Sequence, residues 1–452
     1  MMDFNEKIYE KIFDLGIKYN ILANCREYPA LVFSRQRIDF ERIKEALARK
    51  FSDRRLACGL YVHFPFCENR CSFCKYYSEV VPNKDKEIVF DKYLSSLEKE
   101  LKLYQIDFSK VELDNLCLGG GTPTLLDERR IGNYLDIIYR FFRFRRGAQI
   151  SIEGTPETIT ISKIKEYKRL GINRVSLGLQ SLNDEILKRT GRMHTVKDVE
   201  RAFDVIRKGG IKYIAADILW GLPGESSATY ERTIKRVIKL SPEFVEGFLL
   251  TTGGRVKIAR SYPEDADIDE IINGHKEEFL NNGYRIYSWG NFLGVTKKGV
   301  SHEYAVNQNT DGLYNCRAAV LGIGAGASSH FDNFKYKIVS DSKAYSKYLK
   351  NGVSPLFFGT RLSRDDYKRQ YIISRIGFFR SIAKKRYKEL FGKDLAIDFP
   401  REMDYLKECG IIRETKNQYY WNLGQKEMGH RSFFEHIIKY WYHPKYIDRM
   451  LG

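Results

Sequence analysis

The sequence holds no run of about 18 apolar residues, so no segment qualifies as a membrane-spanning helix. Its first residues, Met1-Met2-Asp3-Phe4-Asn5-Glu6-Lys7, lack the apolar core of a secretory signal. There is no internal repeat and no long low-complexity stretch, which excludes a solenoid or a linker-joined array. There is no compact basic block and no nucleic-acid-binding motif, so nucleic acid is not an expected partner. Cysteine is sparse, with eight in 452 residues. Five of them (Cys25, Cys58, Cys117, Cys316 and Cys409) have no paired spacing, so a disulfide framework is excluded and a reducing, cytoplasmic setting is expected.

What is present is a long, ordinary globular chain with an uneven charge. Hydrophobic residues make up 43% of it, enough to bury a large core and to build more than one domain. Lys and Arg number 76 against 58 Asp and Glu, for a net charge of +18. The excess is spread along the chain. It favours anionic partners, such as a substrate with several carboxylates, without naming one.

The other three cysteines stand together in Cys67-Glu68-Asn69-Arg70-Cys71-Ser72-Phe73-Cys74, spaced C-x3-C-x2-C. They follow an apolar run, Leu60-Tyr61-Val62-His63-Phe64-Pro65-Phe66. Thiolates are soft ligands that select zinc, copper(I) or iron–sulfur clusters. A closed zinc site or a fully ligated cubane wants four protein ligands, and this loop offers three. Two readings follow: a zinc knuckle completed by His63 or a distant histidine, or a [4Fe–4S] cubane with one iron left open to a small molecule.

Hydrophobic periodicity divides the chain in three. Residues 1–55 read as a helical N-terminal extension, with Ile8, Ile12, Leu15 and Tyr19 at helical spacing and a second amphipathic helix over 38–47. From 56, strands at 59–64, 111–118, 149–154, 173–179, 213–219 and 244–250 alternate with helices. Such alternation predicts an α/β fold with a parallel sheet and right-handed crossovers. A further helix and a glycine-rich run, Gly322-Ile323-Gly324-Ala325-Gly326-Ala327, bring this body to about residue 335. Residues 336–452 turn to basic amphipathic helices over 367–378, 382–390 and 402–409. A hairpin of 411–413 with 419–423 follows, which reads as a small winged-helix-like domain.

Polar motifs sit where the predicted strands end. Gly119-Gly120-Gly121-Thr122-Pro123 closes the second strand; glycines let a ligand reach backbone N–H and C=O groups, or simply make a tight turn. Glu153 ends the third strand, where a carboxylate can accept hydrogen bonds from hydroxyls. Gln180 and Arg192 follow the fourth. Asp217 lies inside the apolar run Ala215-Ala216-Asp217-Ile218-Leu219 and needs a partner, which a structural pair with Arg192 would supply.

The cysteine loop resembles that of the radical S-adenosylmethionine (SAM) superfamily. Tyr61-Val62-His63-Phe64-Pro65-Phe66-Cys67, the GGGTPT run, Leu177-Gly178-Leu179-Gln180-Ser181 and Asp217-Ile218-Leu219-Trp220-Gly221-Leu222-Pro223 are similar to the oxygen-independent coproporphyrinogen III oxidase family. That group includes the oxidase, haem chaperones and class C methyltransferases. The resemblance covers about residues 56–335. It implies a partial (β/α)6 TIM-like barrel with an open side for a large substrate. It implies a [4Fe–4S] cluster on Cys67, Cys71 and Cys74. Two SAM molecules are implied as well, the first against Tyr61, Gly119 and Glu153. The second would meet Phe73, Gly120, Gly121, Gln180, Arg192 and Asp217, with Thr251 and Ser328 as further contacts. The implied chemistry is radical: a 5′-deoxyadenosyl radical abstracts a hydrogen atom from a tetrapyrrole or another large planar anion. Oxidative decarboxylation is the first expectation; radical methyl transfer and haem chaperoning are the alternatives. An electron donor such as flavodoxin or ferredoxin is the implied protein partner. Two features depart from the family pattern. Tyr76 stands where the oxidase has a fourth cysteine, and Thr251-Thr252-Gly253-Gly254-Arg255 follows the sixth strand.

Overall fold

The computed structural model describes residues 38–52, 58–250, 255–259, 268–288, 292–300, 319–331, 333–379, 381–421 and Trp441. The first expected helix, Thr251, Cys25 and Cys316 lie outside the described residues.

The chain enters through helix α1 (Phe40–Lys50), capped by Asp39 and buried through Ile43, Ala46 and Leu47. Strand β1 (Cys58–Phe64) follows, buried at every position but Tyr61. A minimal pair, β2 (Phe66–Cys67) and β3 (Glu79–Val80), then brackets the cysteine loop. Helices and strands alternate as periodicity predicts. They run α2 (Lys86–Tyr104), β4 (Glu112–Gly120), α3 (Glu128–Phe141), β5 (Arg143–Gly154), α4 (Ile161–Arg169) and β6 (Arg174–Gln180). Two helices, α5 (Asp184–Arg189) and α6 (Val196–Gly209), precede β7 (Tyr213–Trp220); α7 (Ser227–Leu240) precedes β8 (Phe244–Leu249).

Strands β1, β4, β5, β6, β7 and β8 pair in that order, all parallel. Because a strand's side chains alternate, each strand has one apolar and one polar face. Leu116 and Leu118, Ile150 and Ile152, Val175 and Leu177, and Ile214 and Ile218 join the apolar core with the helices. Asn115 and Cys117, Ser151 and Glu153, Arg174 and Ser176, and Asp217 and Glu246 take the other face, where several of them meet. An open sheet with a polar inner face is the expected partial barrel.

Three features extend the expectation. A seventh parallel strand, β11 (Ala319–Ile323), lies on the other side of β1, with Tyr61 paired to Gly322. After helix α8 (Ile268–Asn281), strands β9 (Tyr284–Ser288) and β10 (Phe292–Lys297) add antiparallel edges beyond β8. On the opposite side, β12 (Ser328–Phe331), β13 (Phe334–Ile338) and β14 (Leu356–Arg361) continue antiparallel from β11, giving a sheet of twelve strands among the described residues.

The C-terminal part carries α9 (Ser342–Lys350), α10 (Arg364–Phe379), α11 (Lys384–Phe391), α12 (Leu395–Asp398) and α13 (Pro400–Glu408). The expected hairpin is β16 (Ile412–Glu414) with β17 (Gln418–Trp421). It gains a third strand, β15 (Ser381–Ala383), where periodicity had suggested the start of a helix. Among the described residues no helix is long and apolar enough to cross a membrane.

Candidate functional site at the strand ends

The cysteine loop is held at the carboxyl end of β1 by backbone and side-chain bonds to two neighbours. Gly121 N donates to Phe64 O at 2.7 Å and Thr122 N to Phe66 O at 2.8 Å, tying the loop entrance to the exit of β4. Ser72 N donates to Thr190 O at 3.1 Å, and Asn69 Nδ2 to Gly191 O at 2.5 Å, tying the loop to the α5–α6 turn. Within the loop, Cys74 N donates to Cys71 O at 3.2 Å. Cys67, Cys71 and Cys74 are free thiols, each half-buried.

Two donors point at sulfur. Thr122 Oγ1 lies 3.5 Å from Cys67 Sγ, and Arg192 Nη1 lies 3.5 Å from Cys71 Sγ. Burial pushes the Cys74 thiol up to about 11, against a weaker pull from Arg192; burial likewise raises Cys67, against Thr122, Ser78 and Arg192. Three soft ligands in one loop, with hydrogen-bond donors already on two of them, suit a thiolate-held iron–sulfur cluster. Among the described residues no three His, Cys, Asp or Glu groups gather as tightly as a single ion requires. The His63 ring, named above as a fourth zinc ligand, packs instead on Tyr61 and Gly120.

The glycine run serves packing as much as access. A Cβ on Gly119 would come within 2.7 Å of Glu153 Oε2, and one on Gly120 within 2.6 Å of the His63 ring. One on Gly121 would come within 2.4 Å of Phe66 O. Gly120 also adopts φ +114°, a conformation that disfavours side chains. So the three glycines draw Glu153, His63 and the cysteine loop onto one turn. Gly120 N donates to Glu153 Oε2 at 3.1 Å, and burial pushes that carboxyl above its usual range. Tyr61 OH lies 2.9 Å from His63 Nδ1. Burial lowers His63 to about 4, so the ring is neutral, and its Nε2 is buried without a partner.

A second group forms beyond β5. Gln180, in a left-handed conformation at φ 66°, folds back over Gly178, where a Cβ would sit 2.7 Å from its Nε2. Arg192 Nη2 donates to Gly178 O at 2.5 Å. Gly178 pairs in register with Asp217, and Asp217 with Glu246. The pair expected between Asp217 and Arg192 is not what the structure holds. Asp217 lies 3.5 Å from Ser176 Oγ, and burial followed by the charge of Glu246 pushes its carboxyl well above the usual range. The nearby cation is Arg174, 3.3 Å from Glu246, which also accepts from Tyr287 OH at 2.9 Å.

Phe73 packs beside Ile186, Leu222 and Leu250. Ser328 opens β12, and its carbonyl lies 2.0 Å from where a Gly322 Cβ would be, on the strand beside Tyr61. Sequence reading missed Arg174, Glu246, Glu157 and His194. Charged groups inside buried strands were a usable signal for the first two, as Asp217 was.

Residues 61–237 match the Radical SAM superfamily model, and the chain carries a radical SAM domain, which works with a [4Fe–4S] cluster and SAM. The chain is 28% identical over 421 residues to the oxygen-independent coproporphyrinogen III oxidase of Escherichia coli (strain K12). That match spans 87% of this chain and 89% of the oxidase. It is 26% identical over 388 residues to the heme chaperone HemW of Bacillus subtilis (strain 168), spanning 82% of this chain and 97% of HemW. The solved structure of coproporphyrinogen III oxidase (HemN) from Escherichia coli superposes with a TM-score of 0.80 at 21% identity. It covers 94% of this chain and 99% of that one, so the fold is HemN-like.

Proposed function

We propose that this chain is a radical SAM enzyme of the coproporphyrinogen-oxidase type, acting in a reducing cytosol on a tetrapyrrole or similarly large, planar polyanion. Cys67, Cys71 and Cys74 would hold the [4Fe–4S] cluster. Tyr61, Gly119 and Glu153 would hold one SAM. Phe73, Gly120, Gly121, Gln180, Arg192 and Asp217 would hold a second, with Ser328 and Thr251 at its edge. The cluster, held by those three thiolates, would supply one-electron reducing chemistry toward a bound SAM.

The protein's residues do the positioning. Glu153, fixed by Gly120 N, offers its other carboxylate lone pairs to hydroxyls. The half-buried Asp217 and the amide oxygen of the folded-back Gln180 offer further acceptors on β7 and β6. The observation that carries the reading is the juxtaposition of the three-cysteine loop with the Gly119–Glu153 contact, one strand apart at the same sheet end. The net charge of +18 suits a substrate with several carboxylates.

A second reading is supported by Tyr76, which stands at the position of the oxidase's fourth cysteine, and by the match to heme chaperones. In that reading the chain binds haem and turns over little. Anaerobic reconstitution followed by product analysis with coproporphyrinogen III separates the two. The oxidase reading requires 5′-deoxyadenosine and a decarboxylated porphyrinogen without S-adenosylhomocysteine. Tight haem binding with porphyrinogen unchanged supports the chaperone. S-Adenosylhomocysteine beside 5′-deoxyadenosine would instead indicate methyl transfer.

A further inference from the structure

Arg192 joins the two halves of the site. Its Nη2 is spent on Gly178 O at 2.5 Å, at the end of β6 beside Asp217 and Gln180. Its Nη1 faces Cys71 Sγ at 3.5 Å. Its Nε is buried without a partner. Behind it stands an acid–base pair of its own. The carboxylate of Glu157, on the turn after β5, lies within electrostatic reach of the guanidinium, and Glu157 Oε2 lies 3.5 Å from Nδ1 of the fully buried His194. The guanidinium is thus tied by one hydrogen bond to the end of β6 and presents Nη1 to sulfur, with the Glu157 carboxylate within electrostatic reach.

A hydrogen bond or positive charge at a ligating thiolate stabilises the more negative, reduced form of an iron–sulfur cluster and raises its potential. We propose that Arg192 sets the reduction potential of the cluster on Cys67, Cys71 and Cys74. Glu157, 3.5 Å from His194, tempers the charge of Arg192. Because the same guanidinium touches the end of β6, filling the Gln180–Asp217 side changes the potential at the cysteine side. This inference rests on the cluster assignment proposed above.

The test is a dye-mediated redox titration of the anaerobically reconstituted full chain, followed by electron paramagnetic resonance, with iron and sulfide counted in every sample. A wild-type chain that assembles no cluster defeats the assignment itself. With clusters assembled, Arg192→Gln lowers the midpoint potential, and Arg192→Lys, which keeps charge but loses the planar fork, lowers it less. Glu157→Gln leaves both Arg192 hydrogen bonds in place and removes the carboxylate that offsets its charge, so the potential rises. That variant also decides the matter if neither Arg192 variant takes up iron. Potentials equal to wild type in the variants that assemble, or a fall in Glu157→Gln, would overturn the proposal while leaving the cluster assignment standing.

Discussion

The carboxylate of Glu153 lies so close to the backbone of Gly119 that a Cβ there would come within 2.7 Å of Oε2. The contact joins adjacent strands, and the carboxylate, at the end of a flexible side chain, is the partner that gives way to an added Cβ. Gly119→Ala therefore drives Glu153 off the turn. SAM affinity, measured by equilibrium dialysis on the reconstituted chain, falls by about tenfold or more, a loss of roughly 1.4 kcal/mol. Iron content stays at the wild-type level, because the cysteine loop is anchored through Gly121 and Thr122 instead.

Arg174 and Glu246 form a buried ion pair on the inner face of the sheet, 3% and 8% exposed at the side chain, with Asp217 beside them. Arg174→Met leaves two carboxyl groups facing each other without a cation. Removing one member of a buried pair costs about 3–5 kcal/mol, and urea denaturation should show a loss of that order. Replacing both partners with apolar residues recovers most of it, since the desolvation penalty disappears with the charges.

Glu100, on α2, is fully buried and accepts from Gly324 N at 2.8 Å and from Tyr345 OH at 2.6 Å. It braces the turn that leaves β11 beside Tyr61. Burial raises its carboxyl to about 7, with Tyr345, Gly324 and Tyr104 acting against the shift. A carboxyl raised on folding gives stability that is complete below its unfolded value near 4.5 and is lost as pH rises through 7. Each unit is worth about 1.4 kcal/mol, so Glu100 takes away about 3 kcal/mol between those limits. Glu100→Gln keeps the acceptor and removes the titration. Its urea midpoint should change less than that of wild type between pH 5 and about 8.5, and it should be the more stable chain at the upper end.

The six central parallel strands were readable because each is a short apolar run closed by glycine or a polar turn, as in Val175-Ser176-Leu177-Gly178-Leu179. Asp217 betrayed its strand's inner face, because a charge inside such a run has to face something polar. The same logic reaches Arg174 and Glu246, the first residue of β6 and the third of β8. β11 was not readable as a sheet member. Its partner β1 lies some 260 residues earlier in the chain, and periodicity carries no information about pairing at that separation. The Arg192–Cys71 contact was equally hidden, because it depends on how the α5–α6 turn folds over the cysteine loop. Which carboxyl pairs with which cation is a tertiary fact, and the expected Asp217–Arg192 pair failed on it.

The most direct measurement is the iron-based electron paramagnetic resonance spectrum of the anaerobically reconstituted, dithionite-reduced chain, taken with and without SAM. The account predicts a [4Fe–4S] signal that shifts when SAM is added and that vanishes, together with 5′-deoxyadenosine formation, in each of Cys67→Ala, Cys71→Ala and Cys74→Ala. A chain that takes up zinc alone, or an iron signal indifferent to SAM and intact in those variants, would contradict it.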